Sequence, residues 1–202
     1  MRYLVTGSRN WGGWHACRDF VLALLPGDVI AHGNARGADG MVHDLLTNPR
    51  NRAGGTMRAR RVITHGGGGA TGEGRGNRRR GDIDVHVYPA DWERYSVASP
   101  TRKNPAGVIR NGEMLTDFAP DRCVYFHDDM IPGVGGTGDM VQRCLAAGIP
   151  VLEWSEFVER QRETDDDEEA DDESDNADGS PAAASEDDAG PRCGPDQAPR
   201  RT

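Results

Sequence analysis

The chain has 202 residues and a formal net charge of −9, which is enough length for one ordinary domain with a buried core. The charge is uneven, because residues 163–202 hold 15 acidic and 3 basic residues, whereas the first 162 hold 18 acidic and 21 basic residues, a net +3. Four widely spaced cysteines without a C-x-x-C pair argue against a zinc site or a disulfide framework, and no apolar run reaches the roughly 20 residues of a membrane span. With no signal peptide at the N-terminus, we expect a soluble cytoplasmic protein without a metal site.

The first turn is the strongest local feature of the sequence. An apolar strand around Leu4 and Val5 runs into Gly7, Ser8 and Arg9, and helical periodicity follows from about residue 15 to residue 25. Glycine lets a ligand approach the main chain, and serine and arginine supply donors suited to phosphate. The turn therefore predicts a nucleotide-phosphate site. The alternative is a simple tight turn with a solvated arginine.

A second apolar strand, residues 29–31, also ends in glycines, at Gly33 and Gly37. Helical periodicity then covers Ala38 to Leu46, with Asp39 in the first turn. This carboxylate has two interpretations. It either stabilises the helix N-terminus through the helix dipole, or it points into a cleft and binds a ribose hydroxyl.

Residues 48–81 break the periodic pattern. They contain many glycines and nine arginines between Arg50 and Arg80, with Glu73 as their one acidic residue. The composition predicts a largely disordered insertion. Such a segment either contacts nucleic acid through its arginines or is a solvated loop.

An alternating strand, residues 83–88, ends at Pro89, and the aromatic residues Trp92 and Tyr95 follow within a loop. These two rings either stack on a base or cover the end of the sheet. A second irregular stretch continues to about residue 107.

A helix is predicted over residues 108–118, with Arg110 and Asn111 near its start. Arginine is electrostatically unfavourable at a helix N-terminus, and a bound anion would explain its presence there. A surface arginine at this position costs little, however, and requires no special reason.

A strand over residues 122–126 leads into a glycine-rich loop that brings Gly135, Gly136 and Thr137 to the start of a helix near Met140. Free backbone amides and a hydroxyl at such a position suit an anion. The preceding residues 127–129 carry metal-capable side chains, but adjacent residues cannot all face one ion. A solvated loop is the simpler interpretation of those three residues.

A fifth strand, residues 148–152, and a short helix, residues 155–162, complete the pattern. The alternation of strands and helices predicts an α/β fold, a Rossmann-like three-layer α/β/α arrangement with a five-stranded, mostly parallel sheet. We expect one domain over residues 1–162 and a disordered acidic tail over residues 163–202.

Six short motifs occur in order along the chain: V-T-G-S-R-x-W (5–11), H-G-x-A-R-G-A-D (32–39), Y-P-A-D-W (88–92), I-R-N-x-x-M (109–114), G-G-T-x-D-M (135–140) and G-I-P-V (148–151). Together they resemble the YspA/YpsA-related branch of the SLOG superfamily, the group that includes DUF2493-type domains. The match covers most of residues 1–154, apart from the arginine-rich segment and residues 96–105.

The resemblance implies a Rossmann-like domain that binds a nucleotide or a nucleotide-derived ligand, such as AMP, ADP-ribose or an NAD-like molecule, and that requires no other cofactor. It implies a sensor or binding module working alone, as a homo-oligomer or beside a separate effector protein. The residues expected to converge on one ligand pocket are Gly7, Ser8, Arg9, Gly33, Gly37, Ala38, Asp39, Trp92, Arg110, Asn111, Gly135, Gly136 and Thr137.

Two related groups supply alternative functions. The LOG phosphoribohydrolases cleave the N-glycosidic bond of a nucleoside monophosphate, and the DNA-processing protein A family binds single-stranded DNA. The hydrolases carry P-G-G-x-G-T-x-x-E, and the glutamate position of that motif falls on Met140 here. Methionine cannot accept a proton, so this activity would need Asp39, Glu113 or Asp139 as the catalytic carboxylate. Whether the protein is an enzyme stays open from sequence.

Overall fold

The computed structural model describes residues 1–48, 50, 58–65, 73–75, 83–95 and 104–172. The chain divides into two units, residues 1–166 and residues 167–202. The strands and helices given below lie in the first unit, except for the end of the last helix. The strands are β1 (Arg2–Gly7), β2 (Val29–His32), β3 (Ala59–Thr64), β4 (Glu73–Arg75), β5 (Ile83–Val87), β6 (Arg122–Phe126) and β7 (Val151–Glu153). The helices are α1 (Trp14–Leu22), α2 (Ala38–Thr47), α3 (Ala106–Phe118), α4 (Gly135–Ala146) and α5 (Trp154–Asp172).

The strands form a single sheet in the order β4-β3-β5-β2-β1-β6-β7. Six of them run parallel, and the short edge strand β4 pairs with β3 in the antiparallel direction. The predicted Rossmann-like α/β fold with a mostly parallel sheet is confirmed. The chain runs from β1 toward β2 on one side and later reaches β6 on the other side of β1, so a topological switch point lies between β1 and β6.

Helices cover both faces of the sheet and bury its apolar residues. On one face, α1, α2 and the first turns of α5 pack together around Phe20, Val42 and Phe157. On the other face, α3 and α4 pack around Met114, Phe118 and Met140. The strands are therefore covered on both sides, as a parallel sheet requires.

The predicted count of five strands was wrong, because β3 and β4 lie within residues 48–81, which composition had indicated as a disordered insertion. Strand β3 carries two adjacent arginines, Arg60 and Arg61, that obscure its apolar residues. Both guanidinium groups contact the Asp84 carboxylate of β5, at 2.5 and 2.6 Å. A register shift between Ala59 and Arg61 accompanies this pairing, and such a bulge changes the direction of neighbouring side chains. Within that segment, residues 49, 51–57, 66–72 and 76–81 lie outside the described part of the chain.

Helix α5 continues to Asp172, beyond the predicted end of the domain at residue 162 and into the predicted disordered tail. Its sequence is rich in glutamate, a good helix former, and an i,i+4 pair joins Arg160 to Glu156 at 2.6 Å. The acidic composition of the predicted tail had indicated disorder and did not show that its first residues continue the helix. Residues 173–202 of the predicted tail, and residues 96–103 of the second predicted loop, lie outside the described residues.

None of the described helices combines the length and the apolar character that a bilayer crossing requires. Three of the four cysteines, Cys17, Cys123 and Cys144, are buried free thiols.

Candidate functional site

A cleft of about 370 Å³ lies at the carboxyl ends of β1, β2 and β5. These strands are adjacent and parallel, so the segments that follow them meet at the same edge of the sheet. Residues after each strand and one residue of α3 form its walls: Arg9, Gly33, Asn34, Ala35, Arg36, Pro89, Ala90, Trp92 and Arg110.

Of the three arginines in this set, Arg110 is the one that is mostly buried, and its position depends on a glycine. Its guanidinium occupies the space that a Cβ atom on Gly33 would fill. Its Nη1 donates a hydrogen bond of 3.2 Å to the carbonyl oxygen of Tyr88, whereas its buried Nε has no hydrogen-bond partner. The absence of a side chain at position 33 thus lets a cation lie against the turn after β2.

Arg9 and Trp92 meet across the cleft. The guanidinium carbon of Arg9 lies 5.2 Å from the centre of the Trp92 ring, within the range of a cation–π contact. The carbonyl oxygen of Trp92 accepts a hydrogen bond of 3.0 Å from Asn104, and its side chain is 45% exposed. An exposed aromatic surface therefore stands beside an arginine that follows β1. Tyr95, the other aromatic residue of the predicted pair, lies under Arg94 instead, 5.3 Å away, and is not among the lining residues.

The cleft is strongly positive. Arg9, Arg36 and Arg110 line it, and no aspartate or glutamate is among its described lining residues. None of these three arginines forms an ion pair with a carboxylate in the described part of the chain. Burial lowers the pKa of Arg110, and the positive charge of Arg9 lowers it further, while the carboxylates of Asp39 and Asp139 act in the opposite direction. The arrangement suits a multiply charged anion.

Asp39 is buried inside the turn after β2 and is only 4% exposed. Its Oδ2 accepts a hydrogen bond from the Gly33 amide at 3.1 Å and a longer one from the Ala35 amide at 3.5 Å. Its Oδ1 is buried without a partner of normal geometry, although the Gly7 amide is near enough to lower the pKa of the group. Burial is the larger influence and raises the pKa of Asp39 to about 6. The carboxylate therefore stabilises the turn that forms one wall of the cleft, and it is not itself a lining residue.

Several other predicted ligand residues lie beneath the cleft. Gly7 is in close contact with Ala38, since a Cβ atom on Gly7 would overlap the Ala38 methyl group. Gly37 has a φ of +80°, and a Cβ atom there would overlap the carbonyl oxygen of Ser8. These glycines and Ala38 let the turns after β1 and β2 pack directly on each other.

The glycine-rich turn before α4 is organised differently from its predicted form. Helix α4 begins at Gly135, so Gly135, Gly136 and Thr137 belong to its first turn and not to a preceding loop. Asn111 donates hydrogen bonds from Nδ2 to the Gly136 carbonyl oxygen at 3.0 Å and to Asp139 Oδ2 at 2.9 Å. Arg143 also donates to Asp139 Oδ2, at 2.9 Å. This region forms a closed network between α3 and α4.

The structure brings four predicted ligand residues into the walls of the cleft, namely Arg9, Gly33, Trp92 and Arg110. The others are not among its lining residues: Gly7, Ser8, Gly37, Ala38, Asp39, Asn111, Gly135, Gly136 and Thr137. Sequence reasoning did not select five residues that do line it: Asn34, Ala35, Arg36, Pro89 and Ala90. All five lie within the H-G-x-A-R-G-A-D and Y-P-A-D-W motifs. The sequence signal that could have indicated Arg36 is its position beside Gly37, shortly after a parallel strand.

The three candidate catalytic carboxylates do not line the cleft. Asp39 is buried, Asp139 accepts hydrogen bonds from Asn111 and Arg143, and Glu113 is exposed on α3. Met140, at the position where the hydrolase motif has glutamate, is fully buried among the apolar residues between the sheet and α3 and α4.

No protein-family model and no solved structure matches the chain. Among curated proteins it is similar to the Gene 61 protein of Mycobacterium phage D29, with 28% identity over 160 residues. The match covers 77% of this chain and 97% of the phage protein. The similarity therefore extends over most of both chains.

Proposed function

We propose that this protein binds a nucleotide or a nucleotide-derived ligand in the cleft at the carboxyl ends of β1, β2 and β5. The observation that carries the proposal is the combination of three arginines and an exposed tryptophan in one cleft without a lining carboxylate. Guanidinium groups recognise phosphate oxygens, and an aromatic face accepts a base by stacking. The cleft lies at the carboxyl ends of parallel strands, the edge at which open α/β sheets bind ligands, and among the described residues it is lined from β1, β2 and β5 and not from β6 across the switch point.

In this proposal the three arginines bind the phosphate groups and Trp92 stacks on the base. Arg110 offers its guanidinium from the buried side, where water screens a charge least, and Arg9 and Arg36 approach from the two exposed turns. Trp92 lies next to Arg9, so a base near the ring would place its phosphate within the arginine-lined part of the cleft. Binding of phosphate would also give these arginines the ion-pair partner that no carboxylate supplies in the described part of the chain.

The cleft favours binding over cleavage of an N-glycosidic bond. Glycosidic hydrolysis ordinarily uses two carboxyl groups beside the scissile bond, as acid and as base or nucleophile. No carboxylate lines this cleft among the described residues. We therefore prefer a sensor or binding module, in line with the SLOG resemblance, to a phosphoribohydrolase.

The proposal is tested by isothermal titration calorimetry of the full chain with AMP, ADP, ADP-ribose and NAD, repeated on Arg110→Met. We expect at least one nucleotide to bind and the substitution to weaken it about 30-fold or more, equivalent to about 2 kcal/mol. The variant should stay folded with at most a modest fall in its unfolding temperature, because Arg110 forms no ion pair with a described carboxylate but its charge favours the ionised form of buried Asp39.

Arg160→Met is the matched control, since that arginine is exposed on α5 and pairs with Glu156 outside the cleft. It should leave affinity unchanged. If no nucleotide binds, or if both variants bind alike, the assignment of this cleft is wrong. Binding of single-stranded DNA alone would favour the nucleic-acid alternative.

A further inference from the structure

The main-chain amides of the turn after β1 are largely used within the protein. The Ser8 amide donates to the carbonyl oxygen of Phe126 at 2.9 Å, and the Trp11 amide donates to the Ser8 carbonyl oxygen at 3.1 Å. The Asn10 amide donates to the Ser8 hydroxyl at 3.2 Å. This turn therefore does not present the row of free amides that a phosphate-binding glycine loop presents.

Several main-chain amides of the turn after β2 are likewise used within the protein. Asp39 accepts from the Gly33 amide, and the Asn34 amide donates to His32 Nδ1 at 3.1 Å. The Ala38 amide, at the start of α2, approaches the Ser8 carbonyl oxygen at 3.4 Å. With these amides occupied, recognition of an anion in the cleft falls to the guanidinium groups.

The charge of those guanidinium groups indicates the charge of the anion. Arginine is always protonated, so Arg9, Arg36 and Arg110 contribute three positive charges to the cleft. A phosphate monoester carries about −1.5 to −2 near neutral pH, and a second linked phosphate adds about one more negative charge. Asp39 lies buried behind the cleft and offsets part of this charge at Arg110, but it is not among the lining residues. Of the three kinds of ligand, a free terminal diphosphate comes closest to the charge of the lining arginines, because a monophosphate or a pyrophosphate diester carries about one negative charge less.

The placement of the arginines also suits two linked phosphates. Arg110 belongs to α3 and is mostly buried, whereas Arg9 and Arg36 are exposed and come from two separate turns. One phosphate bound at Arg110 would leave the other two arginines free to hold a second one. We propose that the ligand of this cleft is a nucleoside diphosphate with a free terminal phosphate. This inference rests on the proposed nucleotide binding.

The test is calorimetric titration of the full chain with AMP, ADP, ATP and ADP-ribose, and with GMP and GDP in parallel because the base is unidentified. We expect the diphosphate to bind about tenfold tighter than its monophosphate and than ADP-ribose, with ATP no tighter than ADP. Arg36→Met should bring the affinity for the diphosphate down to that for the monophosphate. Arg160→Met should preserve the difference.

The outcomes separate the two proposals. If no nucleotide binds, nucleotide binding itself fails and this inference falls with it. If AMP binds as tightly as ADP, if ADP-ribose equals ADP, or if ATP is tighter, nucleotide binding stands and the diphosphate assignment is overturned. A preference for the diphosphate that survives in Arg36→Met also contradicts the assignment, because Arg36 would then not contact the second phosphate.

Discussion

Two groups of arginines in this molecule have opposite surroundings. Arg60 and Arg61 of β3 both contact the carboxylate of Asp84, which is 5% exposed. The three arginines of the cleft have no carboxylate within ion-pair distance in the described part of the chain. The first group neutralises a charge that the fold has buried. The second group is the one that we propose to bind a charge from outside the protein.

The difference suggests a test that separates residues stabilising the fold from residues proposed to bind a ligand. Removing the partner of a paired group should lower stability, because a buried polar group or charge is left uncompensated. Removing an unpaired cation from the cleft should cost binding and little stability. Active sites commonly have this property, since they retain groups that the folded chain alone does not need.

The largest expected effect on stability is that of Asp84→Asn. Hydrogen bonds to a charged group are worth about 1.5 to 3 kcal/mol, but both arginines are about half exposed and solvent screens them. We therefore expect the free energy of unfolding to fall by about 2 kcal/mol, measured by urea denaturation at neutral pH. Arg60→Met, which leaves Arg61 paired with Asp84, should cost less. Equal losses in the two variants would contradict the shared role of the carboxylate.

Asp84→Asn should also differ from the wild type in how its stability depends on pH. The hydrogen bonds from Arg60 hold the pKa of Asp84 well below its usual range, so the stability that it contributes is present above about pH 4 and is lost as the pH falls further. Asp39, with its pKa raised to about 6, acts oppositely and stabilises the fold as the pH falls from about 6 to 4. The acid-side loss below about pH 4 should be smaller in Asp84→Asn than in the wild type.

A smaller effect, on binding rather than stability, is expected from Gly33→Ala. The added methyl group would displace the Arg110 guanidinium, which is the far end of a flexible side chain and can move. We expect the affinity for the best nucleotide to fall about tenfold, or about 1.4 kcal/mol, with little change in the unfolding temperature. Gly12→Ala, which meets no atom within 4 Å, serves as the matched control. Undiminished affinity in Gly33→Ala would mean that Arg110 does not need its observed position to bind phosphate.

Sequence reasoning found the sheet because its central strands are short apolar runs that end in glycines. It missed β3, since the pattern of a strand is hidden where Arg60 and Arg61 replace apolar residues. Their partner Asp84 lies 24 and 23 residues further along the chain. Charge pairing across a sheet cannot be seen along the chain. For the same reason, the arginine content of residues 48–81 indicated a disordered insertion and gave no sign of the two strands within it.

The sequence indicated the strand ends at which the cleft lies, but it could not separate the residues that line the cleft from those that support it. Arg9 and Arg110 line the cleft as arginines suited to phosphate, whereas Asp39 points into its own turn and Asn111 toward α4. Which way a side chain points depends on the hydrogen-bond partners that tertiary packing brings near. The sequence analysis did not select Arg36 for the same reason. The sequence around an exposed arginine in a glycine-containing turn does not show which way its side chain points.

The smallest expected effect distinguishes the cleft from the turn before α4. Arg143 pairs with Asp139 at i,i+4 on a partly exposed helix face, and such pairs are worth about 0.3 to 0.5 kcal/mol. Arg143→Met should therefore change the free energy of unfolding by no more than this and leave nucleotide affinity unaltered, because its charge is already compensated. Calorimetry beside Arg110→Met makes the comparison direct. If Arg143→Met weakens binding as strongly, the ligand extends to Gly135, Gly136 and Thr137, and the sequence-based prediction of a phosphate site at that turn regains its support.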